Sequence, residues 1–97
     1  MKLSYVYILK CSDSSYYTGV TSDLTQRLFR HVSAYYPDCY TANRRPLELV
    51  FYCEFTDIGI AIDKEKQIKK WSRAKKEALI KGDFDALVNL AKKKFDK

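Results

Sequence analysis

The sequence predicts an α+β domain in which helices cover a three-stranded sheet. Two β-branched and aromatic runs, residues 5–11 and 16–20, flank the turn-forming cluster Ser12-Asp13-Ser14-Ser15, the pattern of an antiparallel hairpin. A third run, residues 47–55, alternates apolar and polar side chains. The segments between and after these runs carry helix-start residues followed by apolar stripes at helical spacing.

The hairpin register is not readable from pattern, so whether Tyr7 and Tyr17 share a face stays open at this level. Thr21-Ser22-Asp23 supplies oxygen side chains for a helix start, and Leu24, Leu28 and Val32 follow as an i, i+4, i+8 stripe. That helix should end before Pro37, and residues 37–46 read as a loop ending in Asn43-Arg44-Arg45-Pro46. In the third strand, Leu47, Leu49, Phe51, Cys53 and Phe55 should form one well-buried face. Thr56 or Asp57 should cap a second helix over 58–71, and Ser72 a third through Ile80. Gly82 and Asp83 should stop the third helix and start a fourth, with the stripe Phe84, Leu87, Val88, Ala91 and Phe95. The expected order is β-β-α-β-α-α-α, one domain over 1–97 with a core of 4–80 and a last helix at 83–96.

Size and composition bound the function. Ninety-seven residues, 46% hydrophobic and 14% aromatic, suit one globular domain and leave no room for a second of useful size. No apolar run approaches a membrane span and the first residues lack a signal-peptide core, so the expected setting is cytoplasmic. Cys11, Cys39 and Cys53 are odd in number and widely spaced, which argues for reduced thiols over a disulfide framework or a zinc site.

The net charge of +6 is distributed unevenly. Residues 1–63 hold six Lys/Arg against seven Asp/Glu, whereas residues 64–97 hold twelve against five. A one-sided basic surface suits a polyanion, because neutralised phosphates release condensed counterions. A solvated Lys-rich helical face is the plain structural alternative. Candidates for nucleic-acid backbone contacts are Lys64, Lys66, Lys69, Lys70, Arg73, Lys75 and Lys76, with Arg44 and Arg45.

Chemistry is concentrated in few residues. Glu65 falls in the middle of the stripe formed by Ile58, Ala61, Ile62 and Ile68. A buried lone carboxylate is costly unless it is paired or binds a cation. It is therefore a partner of Arg27 or another base, a side chain reaching solvent at the stripe's edge, or a hard-metal ligand of the Mg²⁺ type. Arg27 and His31 lie four apart on one helix, offering a phosphate-matched fork and the chain's single imidazole. Tyr7 and Tyr17 are weak signals singly, since eight tyrosines also reflect strand propensity.

Taken together, the run from Tyr5 to His31, with Tyr5-Val6-Tyr7 and Tyr17-Thr18-Gly19, and the later Ala61-Ile62-Asp63-Lys64-Glu65 resemble the GIY-YIG nuclease superfamily. The stretch from Glu65 to Arg73 is similar to its small stand-alone bacterial branch, relatives of the nuclease module of UvrC excision-repair proteins and of structure-specific nucleases for branched DNA. The resemblance covers about residues 4–80. It implies a three-stranded antiparallel sheet flanked by helices, Mg²⁺- or Mn²⁺-dependent phosphodiester cleavage by one metal ion, and a DNA substrate in repair or branched-DNA processing. It also implies roles: Tyr7 and Tyr17 as motif phenols, Gly19 as the motif glycine, Arg27 on phosphate, His31 at the His or Tyr position, and Glu65 on the metal. Tyr7, Tyr17 and His31 all remain open as the general base.

The first motif lacks its glycine, and the asparagine that several members carry after the glutamate is missing; the next asparagine here is Asn89. Nuclease modules of this family often rely on a further binding domain, so a protein partner supplying substrate specificity is an expectation too. The rival readings are a nucleic-acid-binding module with little or no catalysis and an adaptor for an acidic protein. An RNA-recognition domain fits worse, because the element order is wrong and no matching aromatic run occurs.

Overall fold

The computed structural model describes residues 3–32 and 44–83. The fourth helix expected after Gly82, Cys39 and most of the 37–46 loop lie outside the described residues. Three strands, β1 (Ser4–Lys10), β2 (Tyr16–Thr21) and β3 (Glu48–Phe55), form one sheet in the order β2-β1-β3. Both pairings of the central strand are antiparallel, as expected. Three helices follow their predicted places: α1 (Leu24–Val32), α2 (Ile58–Lys69) and α3 (Arg73–Lys81).

The caps explain the helix boundaries. Asp23 Oδ1 accepts from the Gln26 amide at 3.1 Å and starts α1. Asp57 accepts from the Gly59 and Ile60 amides at the start of α2, and Ser72 Oγ from the Lys75 amide at the start of α3. The α2 helix ends two residues earlier than predicted. Its last turn tightens as the Lys70 and Trp71 amides bond the Gln67 and Ile68 carbonyls, which frees Ser72 for its cap. Gly82 ends α3 in the left-handed region, φ 73°.

The hairpin turn is held at several points. Asp13 Oδ1 accepts from the Ser15 amide and hydroxyl. Arg44 Nε sits 3.1 Å from Asp13 Oδ2, and the Ser12 amide donates to the Arg44 carbonyl. Arg73 donates to the Ser14 carbonyl from the other side.

Register settles which side chains share a face. Tyr7 lies opposite Gly19, and Leu9 opposite Tyr17. Directly opposed residues of an antiparallel pair point the same way, so Tyr5, Tyr7, Leu9, Tyr17, Gly19 and Thr21 share one face. Val6, Ile8, Thr18 and Val20 point to the other. There Val6 and Ile8 form the core with Ala61 and Ile68 of α2, surrounded by Phe51, Phe55, Trp71 and Leu79. The central strand is covered on both sides, and Val6, Tyr7, Ile8 and Leu9 are all at most 1% exposed. An unbroken apolar run in place of alternation is the signature of such a strand.

Two expectations need correction. The predicted well-buried face of the third strand does not form. The register against β1 shifts between Ile8, paired with Phe51, and Leu9, paired with Leu49, leaving Val50 as an extra residue. Such a bulge reverses side-chain parity, so Leu49 is turned to the opposite face from Phe51. Leu49 and Cys53 are exposed, and Val50 packs against the core in their place. On α2, the buried residues are Ala61, Glu65 and Ile68, while Ile58 and Ile62 are exposed. The helix rests on one narrow line of contact and not on the broad stripe read from sequence.

Candidate active site

Three rings meet on the tyrosine face of the sheet. Tyr7 is fully buried, and its hydroxyl lies 3.1 Å from His31 Nε2. The Tyr17 ring meets the His31 ring edge-on with centroids 5.2 Å apart, and the Tyr7 and Tyr17 centroids are separated by 6.4 Å. A neutral imidazole protonated on Nδ1 accepts the Tyr7 hydroxyl at Nε2. His31 reaches this place because α1 covers the face that carries both tyrosines.

Gly19 makes the arrangement possible. A Cβ built on it would lie 2.5 Å from Tyr7 Cζ and 2.9 Å from Cε1, well inside van der Waals contact. The Tyr7 ring therefore lies flat against bare backbone of the neighbouring strand. The sequence suggests strand-end geometry for this glycine; the structural reason is the close approach of a ring.

Arg27 stands one turn before His31 on α1, and its charge acts on the imidazole. Burial first, and the Arg27 charge second, push the His31 pKa below its usual value. Among the described residues the Tyr7 and Tyr17 rings also face the imidazole. The native state therefore resists protonation, whereas the unfolded chain takes up a proton near pH 6.5. The stabilisation is complete above about pH 6.5 and is lost as the pH falls toward the depressed native value. Thermal denaturation followed from pH 8 to pH 5 is expected to show this loss, and His31→Gln to remove its part of the slope. Arg27 also lines an open groove of about 480 Å³ in which the hydroxyls of Ser4, Thr21, Ser22 and Thr56 alternate with apolar Val20 and Ile58.

Glu65 comes from the opposite layer. It is 7% exposed, on the line of α2 that packs against Val6 and Ile8. Its Oε2 takes an ion pair from Lys69 Nζ at 2.7 Å, one helical turn on. This pair, and not one with Arg27, neutralises the carboxylate. The hydrogen bond to Glu65 raises the Lys69 pKa; burial opposes it, and the Glu65 and Tyr17 charges add to it. The structure gathers Tyr7, Tyr17 and His31 directly and sets Arg27 one turn from His31, whereas Glu65 lies in the α2 layer across the sheet, paired with Lys69.

Glu65 would offer a hard cation one carboxylate oxygen donor, once released from Lys69. Among the described residues no group of three or more His, Cys, Asp and Glu comes together, so one carboxylate would be the protein's share, with water and phosphate oxygens completing the shell. Thr18 Oγ1, on the sheet face that α2 covers, is a buried hydroxyl without a hydrogen-bond partner among the described residues. An ordered water in that layer would satisfy it.

The basic candidates separate into two groups. Arg45, Lys64, Lys66 and Lys70 are exposed. Lys69 is half-exposed and committed to Glu65. Arg44 is tied to Asp13, and Arg73 pairs with Glu77 at 3.4 Å and lies over the Tyr16 ring. Lys76 is partly buried, which lowers its pKa. Lys75 departs furthest from expectation: it is 9% exposed, its Nζ 4.4 Å from the centre of the Trp71 ring, and it braces the α2–α3 corner. The alternation of lysines in sequence does not reveal which of them turn inward.

A β-β-α-β-α-α chain with paired strand tyrosines, a glycine under one of them, and Arg, His and Glu on flanking helices has the architecture of a GIY-YIG nuclease domain. The model of the GIY-YIG catalytic domain matches residues 3–78, and the chain belongs to that family. A UPF0213 protein of Syntrophus aciditrophicus is 46% identical over 81 residues, spanning 84% of this chain and 93% of that one. A UPF0213 protein of Bacillus pumilus is 42% identical over 76 residues, spanning 78% and 76%. The solution NMR structure of a UPF0213 protein from Bacillus halodurans aligns with a TM-score of 0.54 at 40% identity, covering 81% of this chain and 83% of that one. The nuclease family and the three-stranded α+β fold are thus established. Among the described residues no helix is long and apolar enough to cross a membrane.

Proposed function

We propose that this chain is a cytoplasmic, Mg²⁺- or Mn²⁺-dependent DNA endonuclease that hydrolyses phosphodiester bonds, acting in repair or in the processing of branched DNA. The observation that carries the reading is the 3.1 Å contact between the Tyr7 hydroxyl and His31 Nε2. It joins a phenol to a proton acceptor that its surroundings keep neutral.

Glu65 would hold the metal. The ion would supply charge stabilisation at the scissile phosphate and the leaving 3′ oxygen. Arg27, which lines the open groove, meets charge developing on the phosphoryl oxygens. The attacking water gives its proton to Tyr7 Oη as the Tyr7 proton passes to His31 Nε2, so charge does not accumulate on the phenol. Tyr17, half-exposed beside the imidazole, forms the entry side where phosphate and water approach.

Affinity for DNA is assigned to exposed Arg45, Lys64, Lys66 and Lys70, which contact backbone without reading sequence. Each phosphate neutralised adds about 0.9 to the slope of log K against log salt for duplex DNA. Replacing Lys66 and Lys70 by glutamine is expected to lower that slope by about 2, measured by fluorescence anisotropy. An unchanged slope removes both from the interface. A separate protein partner that supplies structure preference remains part of the proposal.

The deciding assay incubates the purified chain with flap, nicked, four-way and single-stranded DNA, with Mg²⁺, Mn²⁺ or EDTA. Metal-dependent cleavage of at least one substrate is expected. Binding without cleavage under either ion rejects the nuclease reading in favour of a DNA-binding module.

A further inference from the structure

We propose that Lys69 is a tethered stand-in for the divalent cation: it neutralises Glu65 in the metal-free protein, yields the carboxylate to the metal, and frees its ammonium for a DNA phosphate. The inference rests on the assignment of Glu65 as metal ligand and adds a residue to that site.

Glu65 is nearly buried, and an uncompensated carboxylate there would weaken the fold. Lys69 removes the difficulty with one short contact, Nζ to Oε2 at 2.7 Å. Its own side chain is 52% exposed, so the flexible stem is not locked by packing. A divalent ion would compete for the same oxygens. An ammonium and a dication drawn to one carboxylate repel each other strongly at such separation. The lysine then has to leave, and its half-exposed stem allows it. The chain thus keeps its acidic ligand paired and solvent-shielded before the metal arrives. The exchange also couples metal loading to the release of one positive charge toward DNA.

The test is Mn²⁺ binding to the full chain without DNA, by isothermal titration, for wild type, Lys69→Gln, Lys69→Arg and Glu65→Gln. Removing the competing charge is expected to tighten Mn²⁺ binding about three- to tenfold in Lys69→Gln, the worth of an ion pair with one half-exposed partner. Lys69→Arg should stay within about twofold of wild type because it retains the competitor. Lys69→Met serves as a second neutral variant if Lys69→Gln does not fold. In Ca²⁺, used as a loaded but slow-reacting state, Lys69→Gln should lower the salt slope of DNA binding by about 1, with no change in EDTA. If Glu65→Gln abolishes Mn²⁺ binding but Lys69→Gln leaves it at the wild-type value, Lys69 is not a competitor and the proposal falls while the metal site stands. If the wild type binds no Mn²⁺, the metal assignment of Glu65 and the role of Lys69 fall together. An equal loss of salt slope in EDTA and in Ca²⁺ makes Lys69 an ordinary phosphate contact and overturns the exchange.

Discussion

Glu65→Gln is expected to lower metal-dependent DNA cleavage by about a thousandfold or more while leaving the chain folded. The substitution keeps the shape of the side chain and an oxygen that can accept from Lys69. It removes the negative charge, and no group of three or more His, Cys, Asp and Glu among the described residues stands by to replace it. A site with several carboxylates tolerates losing one, because the others still attract the ion. Here the charge would fall to zero and the resident lysine would add a positive one. The fold should survive, because Lys69 is half-exposed and regains water when its partner is neutralised. Single-turnover cleavage of the preferred substrate measures the rate, and thermal denaturation measures the fold. A variant that cleaves within tenfold of wild type would show that Glu65 does not hold the metal.

Gly19→Ala is the second large effect, and it acts through geometry. The added methyl group would occupy space now filled by the Tyr7 ring. That ring is fully buried in the central strand and cannot swing to solvent. The expected loss of stability is about 1–3 kcal/mol, the usual range for overpacking. The ring must also withdraw from His31 Nε2, and a displacement of an ångström in a catalytic pair can cost on the order of a hundredfold in rate. Gly82→Ala is the matched control. It carries backbone strain at φ 73° but meets no atom within 4 Å. It should cost about 1 kcal/mol and leave cleavage unchanged. Urea denaturation with cleavage assays on both variants separates a site glycine from a cap glycine. Equal rates in the two would detach Gly19 from the site.

Much of this molecule is legible along the chain. Asp23, Asp57, Ser72 and Gly82 mark helix ends, because caps are local hydrogen bonds between near neighbours in sequence. Arg27 and His31 are adjacent because both lie on one helix. Glu65 is recognisable because a carboxylate among isoleucines and alanine breaks a periodic pattern. Its neighbours are less so. Ile58 and Ile62 match the same period yet face solvent, since the helix finds only one narrow strip of sheet to rest on. In the third strand, clean alternation promised a buried face, and a single extra residue at Val50 undid it. Bulges depend on the partner strand, which local sequence does not describe.

Periodicity, caps and charge distribution by themselves determined the element order, the α+β class and the short set of residues able to do chemistry. Those properties follow from interactions a few residues long. Strand register and layer packing determined the rest: that Tyr7 lies against Gly19 and meets His31, and that Arg44 is tied to the hairpin turn. These pairings join residues distant in sequence, up to 31 positions apart, through contacts that exist only once the sheet and its helices have closed on one another.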